Sequence, residues 1–297
     1  MANNISSIQI IGAASCAGAR DRGCADGPDY LRDSGLVHRL QEQGVDLSWR
    51  TTLYPGSESP PPAVVRDMNE RLAREVANSA ASGALPLVIG GDHSCAIGTW
   101  SGAFLAVRER GPMGLIWIDA HMDSHTPQTT PSGAIHGMPL AVLLGYGTPE
   151  LVNIAAPEAK LLARHLCLIG VRSHEEGEAE LLRKLGVRVF FMTEVKRRGM
   201  DAVMSEAFAI ACNGTAGFGI SIDLDAFNPG ESPGVGTPVR NGLHLLELDR
   251  VLSGIASHPG LLALELAEYN PHHDRHRRTL RLIGDLIAAF SQPAKRL

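Results

Sequence analysis

Short apolar runs, each too brief for a helix and separated by longer amphipathic stretches, constrain the fold of this chain most. They are IQIIGA at 8–13, LPLVIG at 85–90, GLIWIDA at 114–120, LCLIGV at 166–171, VRVFFM at 187–192, GFGISIDLD at 217–225 and LLALELAEYNP at 261–271. Several are continuously apolar rather than alternating, the pattern of strands covered on both faces by helices. The spacing between them predicts helices over 62–80, 94–109, 175–185, 200–211, 242–257 and 274–290. Pro61 and Pro62 suit the start of the first. Strand and helix in alternation predict an α/β fold with a mostly parallel sheet. No linker rich in Gly, Pro or Ser divides the chain, so residues 1–297 read as a single domain, with YPGSESPPP at 54–62 as a surface loop. A closed (β/α)8 barrel has the same order of elements and stays open as a rival.

Composition excludes several classes of function. Hydrophobic residues make up 44% and charged residues 20%, the balance of a folded chain. Lys and Arg number 27 against 32 Asp and Glu, a net charge of -5 that argues against a nucleic-acid partner. Apolar runs end well before the roughly 20 residues that a membrane span needs. The N-terminus MANNISSIQIIGAASCAG has neither a basic leader nor a long apolar core and reads as a polar tail before a strand. The five cysteines are scattered without a C-x-x-C pair, which points to a reducing, cytoplasmic setting. Cys167 reads as a core residue, and Cys16 and Cys24 are expected to stay unpaired.

Polar residues gather at strand ends, where α/β sheets collect ligands. GGDHS follows LPLVI, DAHMD follows LIWI, and DLD closes GFGISI. Asp119, His121 and Asp123 are spaced i, i+2, i+4, so an extended chain through 123 would point all three one way. Asp223 and Asp225 repeat that spacing, and His93 follows a glycine pair suited to a tight turn. Singly, each aspartate reads as a cap or turn former and each histidine as a structural residue. Together they place four carboxylates and two imidazoles at one sheet edge, where the acids would repel each other unless protonated or neutralised by metal. Carboxylate donors without thiolate favour a hard dication such as Mn2+ over structural zinc. Six ligands suit two ions bridged by shared carboxylates, a device that activates water for hydrolysis.

GGDHS, DAHMD, SIDLDAFNPGESPGVGTP and AEYNP, in this order, resemble the ureohydrolase family of arginases, agmatinases and related amidinohydrolases. The resemblance covers nearly the whole chain and is closest to arginase through GGDHSCAIGTWSG, TPQTTPSGAIHG, IGVRSHEEGE and FFMTEV. It implies a three-layer fold, a central parallel sheet flanked by helices, rather than a barrel. It also implies two Mn2+ ions per subunit, a homo-oligomer (trimer or hexamer), and hydrolysis of L-arginine to L-ornithine and urea. His93, Asp119, Asp123 and Asp223 would hold one ion; Asp119, His121, Asp223 and Asp225 would hold the other. By the same resemblance Asp123 passes a proton to the departing amine, His136 shuttles protons at the pocket mouth, and Glu268 pairs with the guanidinium beside Thr237. Thr130 and Ser132 would receive the substrate carboxylate, and Glu175 and Glu178 would face its α-amino group.

Four positions depart from the arginase pattern. His125 stands in the carboxylate subsite in place of an asparagine, and Ala134 replaces another asparagine nearby. Glu175 takes the place of an aspartate, as does Asn228, which reads as structural. A second reading therefore stands beside arginine: a sister amidinohydrolase acting on another guanidino acid such as 4-guanidinobutanoate. The tract NPHHDRHRR at 270–278 reads as a solvated face or subunit contact, with Asp274 as a first-turn charge.

Overall fold

The computed structural model describes residues 7–56 and 61–292. The polar tail expected at the N-terminus and the middle of the 54–62 loop lie outside these residues. Among the described residues eight strands build one sheet: β1 (Ile8–Ala13), β2 (Leu47–Leu53), β3 (Leu85–Gly90), β4 (Met113–Ile118), β5 (Leu166–Val171), β6 (Arg188–Phe191), β7 (Gly217–Asp223) and β8 (Leu261–Ala267). Their order is β2-β1-β3-β8-β7-β4-β5-β6, and every neighbouring pair is parallel. The sheet is open, with β2 and β6 at its edges, so the barrel is excluded.

Side chains alternate across the sheet and build a core on each face. Ile116 and Ile118 of β4 pack with the helices Met200–Cys212, Leu245–Leu252 and Arg278–Ser291. Leu115 and Trp117 point the other way, towards the helices Pro61–Ala81 and Ala96–Val107. β3, β4, β5 and β7 are buried along their whole length, which is why they read as unbroken apolar runs. β7 and β8 are inserted between β3 and β4, so the order reverses there and the loops after these four strands converge above their carboxyl ends.

Several expectations need correction. β2, LSWRTTL, escapes a search for apolar runs because its exposed edge position tolerates Ser48, Arg50 and Thr52. The helix expected over 242–257 stops at Leu252, because Gly254 takes a left-handed φ of 76° before a short turn at Ile255–Ser257. The last helix begins at Arg278 rather than 274; His276 and Arg277 have φ values of 58° and 54°. Asp274 caps that helix instead, accepting from the backbone N–H groups of Thr279 and Leu280, both at 3.0 Å. Cys16 and Cys24 are not separate thiols. The loop between them closes into a disulfide with Cα atoms 5.9 Å apart, a separation within the usual range for one.

Candidate metal centre and substrate pocket

Each ligand-bearing segment leaves the sheet by a turn that its own side chains stabilise. After β3, Asp92 accepts from the Ser94 N–H at 2.9 Å and starts the turn His93–Cys95. The glycine pair before it is needed for close approach: side chains at Gly90 and Gly91 would strike the Cys95 sulfur and the Ser15 carbonyl. After β7, Asp223 accepts from the Asp225 N–H at 2.8 Å. β4 ends at Ile118, so the alternation expected through residue 123 does not hold. Asp119 instead accepts from the His121 N–H at 2.7 Å, and a left-handed φ of 47° turns Asp123 inward.

These turns bring the six expected ligands into two clusters. His93 Nδ1 lies 3.3 Å from Asp119 Oδ2, 3.1 Å from Asp123 Oδ2 and 3.0 Å from Asp223 Oδ2. His121 Nδ1 lies 3.1 Å from Asp225 Oδ2 and 3.5 Å from Asp119 Oδ1. Asp119 belongs to both clusters, while Asp223 gathers with the first. The His93 ring stacks on Trp117 with centroids 4.1 Å apart, and the Trp117 indole N–H donates to Asp119 at 2.9 Å. Buried His93 Nδ1 makes no hydrogen bond although three carboxylates surround it. A buried nitrogen left without a hydrogen bond among three carboxylates marks a place that a cation would fill, so the donor set fits a pair of hard dications.

A cavity of about 220 Å³ opens above the clusters. On one wall Glu268, buried at the end of β8, accepts from the His93 N–H at 2.9 Å and lies 3.0 Å from His136 Nδ1. Thr237 donates to Asp225 Oδ2 at 2.8 Å. Elsewhere in the lining His125 Nε2 meets Glu175 Oε2 at 2.9 Å, and its Nδ1 meets Thr129 Oγ1 at 3.2 Å. Glu178 is buried and accepts from the Glu175 N–H at 2.9 Å. Ser132 and Ala134 line the cavity; Thr130 stands outside its lining, with its hydroxyl accepting from the Gly133 N–H at 3.0 Å. Asn228 only shapes a turn, accepting from Gly230 N–H.

The sequence profile of the arginase family matches residues 6–291. This chain belongs to the arginase family. An arginase from Brevibacillus brevis is 38% identical over 290 residues, covering 95% of this chain and 96% of that protein. The native structure of arginase from Bacillus caldovelox at pH 5.6 superposes with a TM-score of 0.90 at 36% identity, covering 98% of this chain and 99% of that one. Proclavaminate amidino hydrolase from Streptomyces clavuligerus, at 21% identity and a TM-score of 0.77, shares the fold. Family membership and the two ligand clusters together identify a metal-dependent amidinohydrolase with a binuclear metal site.

The electrostatics of an arginase-family site follow from this crowding. Burial, then Asp225 and Asp119, hold the Asp223 pKa well above the carboxylate range. Burial and Asp119 push Asp123 up to about 6. Burial opposes the charge on His93, yet Asp119, Asp123 and Asp223 raise its pKa well above the ordinary value. Burial likewise raises Glu178 to about 8. Without cations the centre therefore stores protons that dications displace.

Reading the sequence misses the groups behind the ligands: Asp92, Trp117, Ser221 and Glu265. Trp117 and Ser221 each lie two residues before an aspartate, Asp119 just past the end of β4 and Asp223 at the end of β7, and that spacing is the signal that could have found them.

Proposed function

We propose that the protein hydrolyses the guanidinium group of L-arginine, giving L-ornithine and urea, with two Mn2+ ions. The observation that carries this reading is the polarity of the cavity. Buried Glu268 and the Glu175–Glu178 pair line the same cavity, the pair in a separate cluster with His125. A substrate with a cationic planar group at one end and an ammonium at the other suits these two acidic groups. His93, Asp119, Asp123 and Asp223 would hold one ion, and Asp119, His121, Asp223 and Asp225 the other. Bound dications in such a pair supply Lewis acidity and a nucleophile from water near neutral pH. Glu268 orients the guanidinium beside Thr237. Asp123 carries the proton to the departing amine, and His136, held against Glu268, delivers protons at the mouth. Ser132 meets the substrate carboxylate, with the Thr130 hydroxyl 3.5 Å from the Ser132 hydroxyl and outside the cavity lining.

One observation favours the second reading, 4-guanidinobutanoate. His125 and Glu175 satisfy each other at 2.9 Å, so Glu175 already has a partner where an α-amino group would compete. A urea-release panel on Mn2+-loaded protein separates the two, comparing L-arginine, agmatine, 4-guanidinobutanoate and 3-guanidinopropanoate. The highest kcat/KM is expected with L-arginine; a clear win for a guanidino acid lacking the α-amino group replaces it with the second reading. No helix among the described residues is long and apolar enough to cross a membrane. One domain per chain in a trimer or hexamer, without a nucleic-acid partner, completes the proposal.

A further inference from the structure

Behind the metal centre, away from the cavity, a second carboxylate sits inside the sheet. Glu265, in the middle of β8, is 0% exposed. Among the described residues no Lys or Arg lies in ion-pair range of it; the nearest basic group is His93 Nε2 at 3.8 Å. Its oxygens instead take four donors. Thr99 Oγ1 at 2.5 Å and Cys95 Sγ at 3.5 Å reach Oε1; Trp100 Nε1 at 3.1 Å and Ser221 Oγ at 2.6 Å reach Oε2. Its companions on that face of β8, Ala263 and Ala267, are apolar. Burying a carboxylate without a cation is costly, so packing alone does not account for this residue.

The direction of each hydrogen bond follows from what the groups can do. An ionised carboxylate only accepts, and Ser221 has one hydroxyl proton. That proton goes to Glu265, which leaves the Ser221 lone pairs facing His93 Nε2 at 3.0 Å. Nε2 therefore carries a proton, and Nδ1 is the nitrogen free to offer a lone pair to a cation among Asp119, Asp123 and Asp223. We infer that Glu265 is a positioning residue for the His93 metal site: its charge, relayed through Ser221, fixes the ring tautomer and strengthens the hold of Nδ1 on the cation. Outer partners of ligating histidines act in this way in general. The buried charge is in turn compensated by the bound dications. This inference depends on the metal centre and is independent of which guanidino substrate the enzyme prefers.

The test is Glu265→Gln in full-length protein stripped of metal with chelator. Glutamine can keep its carbonyl oxygen towards Trp100 and Ser221 and its amide N–H towards Thr99, so the shape survives while the charge is lost. Calorimetric titration with Mn2+ should show one of the two sites weakened by about 10–100-fold and the other unchanged. The stripped variant should unfold at the same temperature as stripped wild type or above it, because an uncompensated buried charge has been removed. Wild-type affinity at both sites, equal weakening of both, or lost stability with affinity unchanged each overturns the inference. If the glutamine variant fails to fold, Glu265→Asp, which withdraws the charge by one methylene, takes its place. Partial weakening of one site is expected there, and wild-type binding refutes the relay.

Discussion

His136 couples the pocket mouth to stability in a way that pH can read. Burial opposes a charge on its ring, but the hydrogen bond to Glu268 and the charges of Glu268, Asp123 and Asp92 outweigh it and raise the pKa from 6.5 to about 9. At about 1.36 kcal/mol per pKa unit, that shift corresponds to about 3.4 kcal/mol of stability when the ring is charged in both folded and unfolded chains. The side chain is 24% exposed, so solvent screening brings the expected value to about 2 kcal/mol. Because the folded pKa is the higher one, this stability is fully present below pH 6.5 and is lost as pH rises through about 9. The perturbation is His136→Gln, which keeps a donor facing Glu268 without a titrating ring. Denaturant unfolding of chelator-treated wild type and variant should differ by about 2 kcal/mol at pH 6 and by little at pH 10. Adding Mn2+ should narrow the gap at low pH, since cations beside Asp123 repel the imidazolium. A gap that stays constant from pH 6 to 10, or widens with pH, refutes the reasoning.

Asp123→Asn should lower kcat by at least about 100-fold while leaving the unfolding temperature of stripped protein unchanged or higher, since burial already raises this acid's pKa to about 6; wild-type turnover contradicts its proton-transfer role. Mn2+ binding should release protons and tighten as pH rises from 6 to 8, read by calorimetry in buffers of different ionisation heat; proton-neutral binding contradicts the charge pattern at His93 and Asp223. Under denaturing, non-reducing conditions thiol titration should count the three free cysteines, Cys95, Cys167 and Cys212, and two more after reduction; five from the outset contradicts the Cys16–Cys24 link.

Much of the fold was legible because central parallel strands must be apolar on both faces. β3, β4, β5 and β7 announce themselves for that reason, whereas β2 lies at an edge and carries Arg50 and two threonines. The metal ligands were legible as chemistry: six acids and imidazoles at strand ends need a cation wherever they meet. How they meet was not, because it depends on a left-handed Asp123 and on side chains that cap their own turns. Glu265 was hidden for a different reason. In sequence it is one acid in LLALELA, and only the pairing of Ser221 with Glu265 across β7 and β8 places it behind His93. Closure of the loop between Cys16 and Cys24 is likewise a tertiary property that spacing does not encode.

Two dications, held by His93, His121 and four aspartates, are proposed to enable this chain to release urea from a guanidino acid. The most direct measurement is urea formation from L-arginine by chelator-stripped protein titrated with Mn2+. Activity should be absent without metal, rise with loading and level off at two ions per chain. Activity in the stripped protein, a plateau at one ion, or no urea at any loading from any guanidino acid contradicts the account.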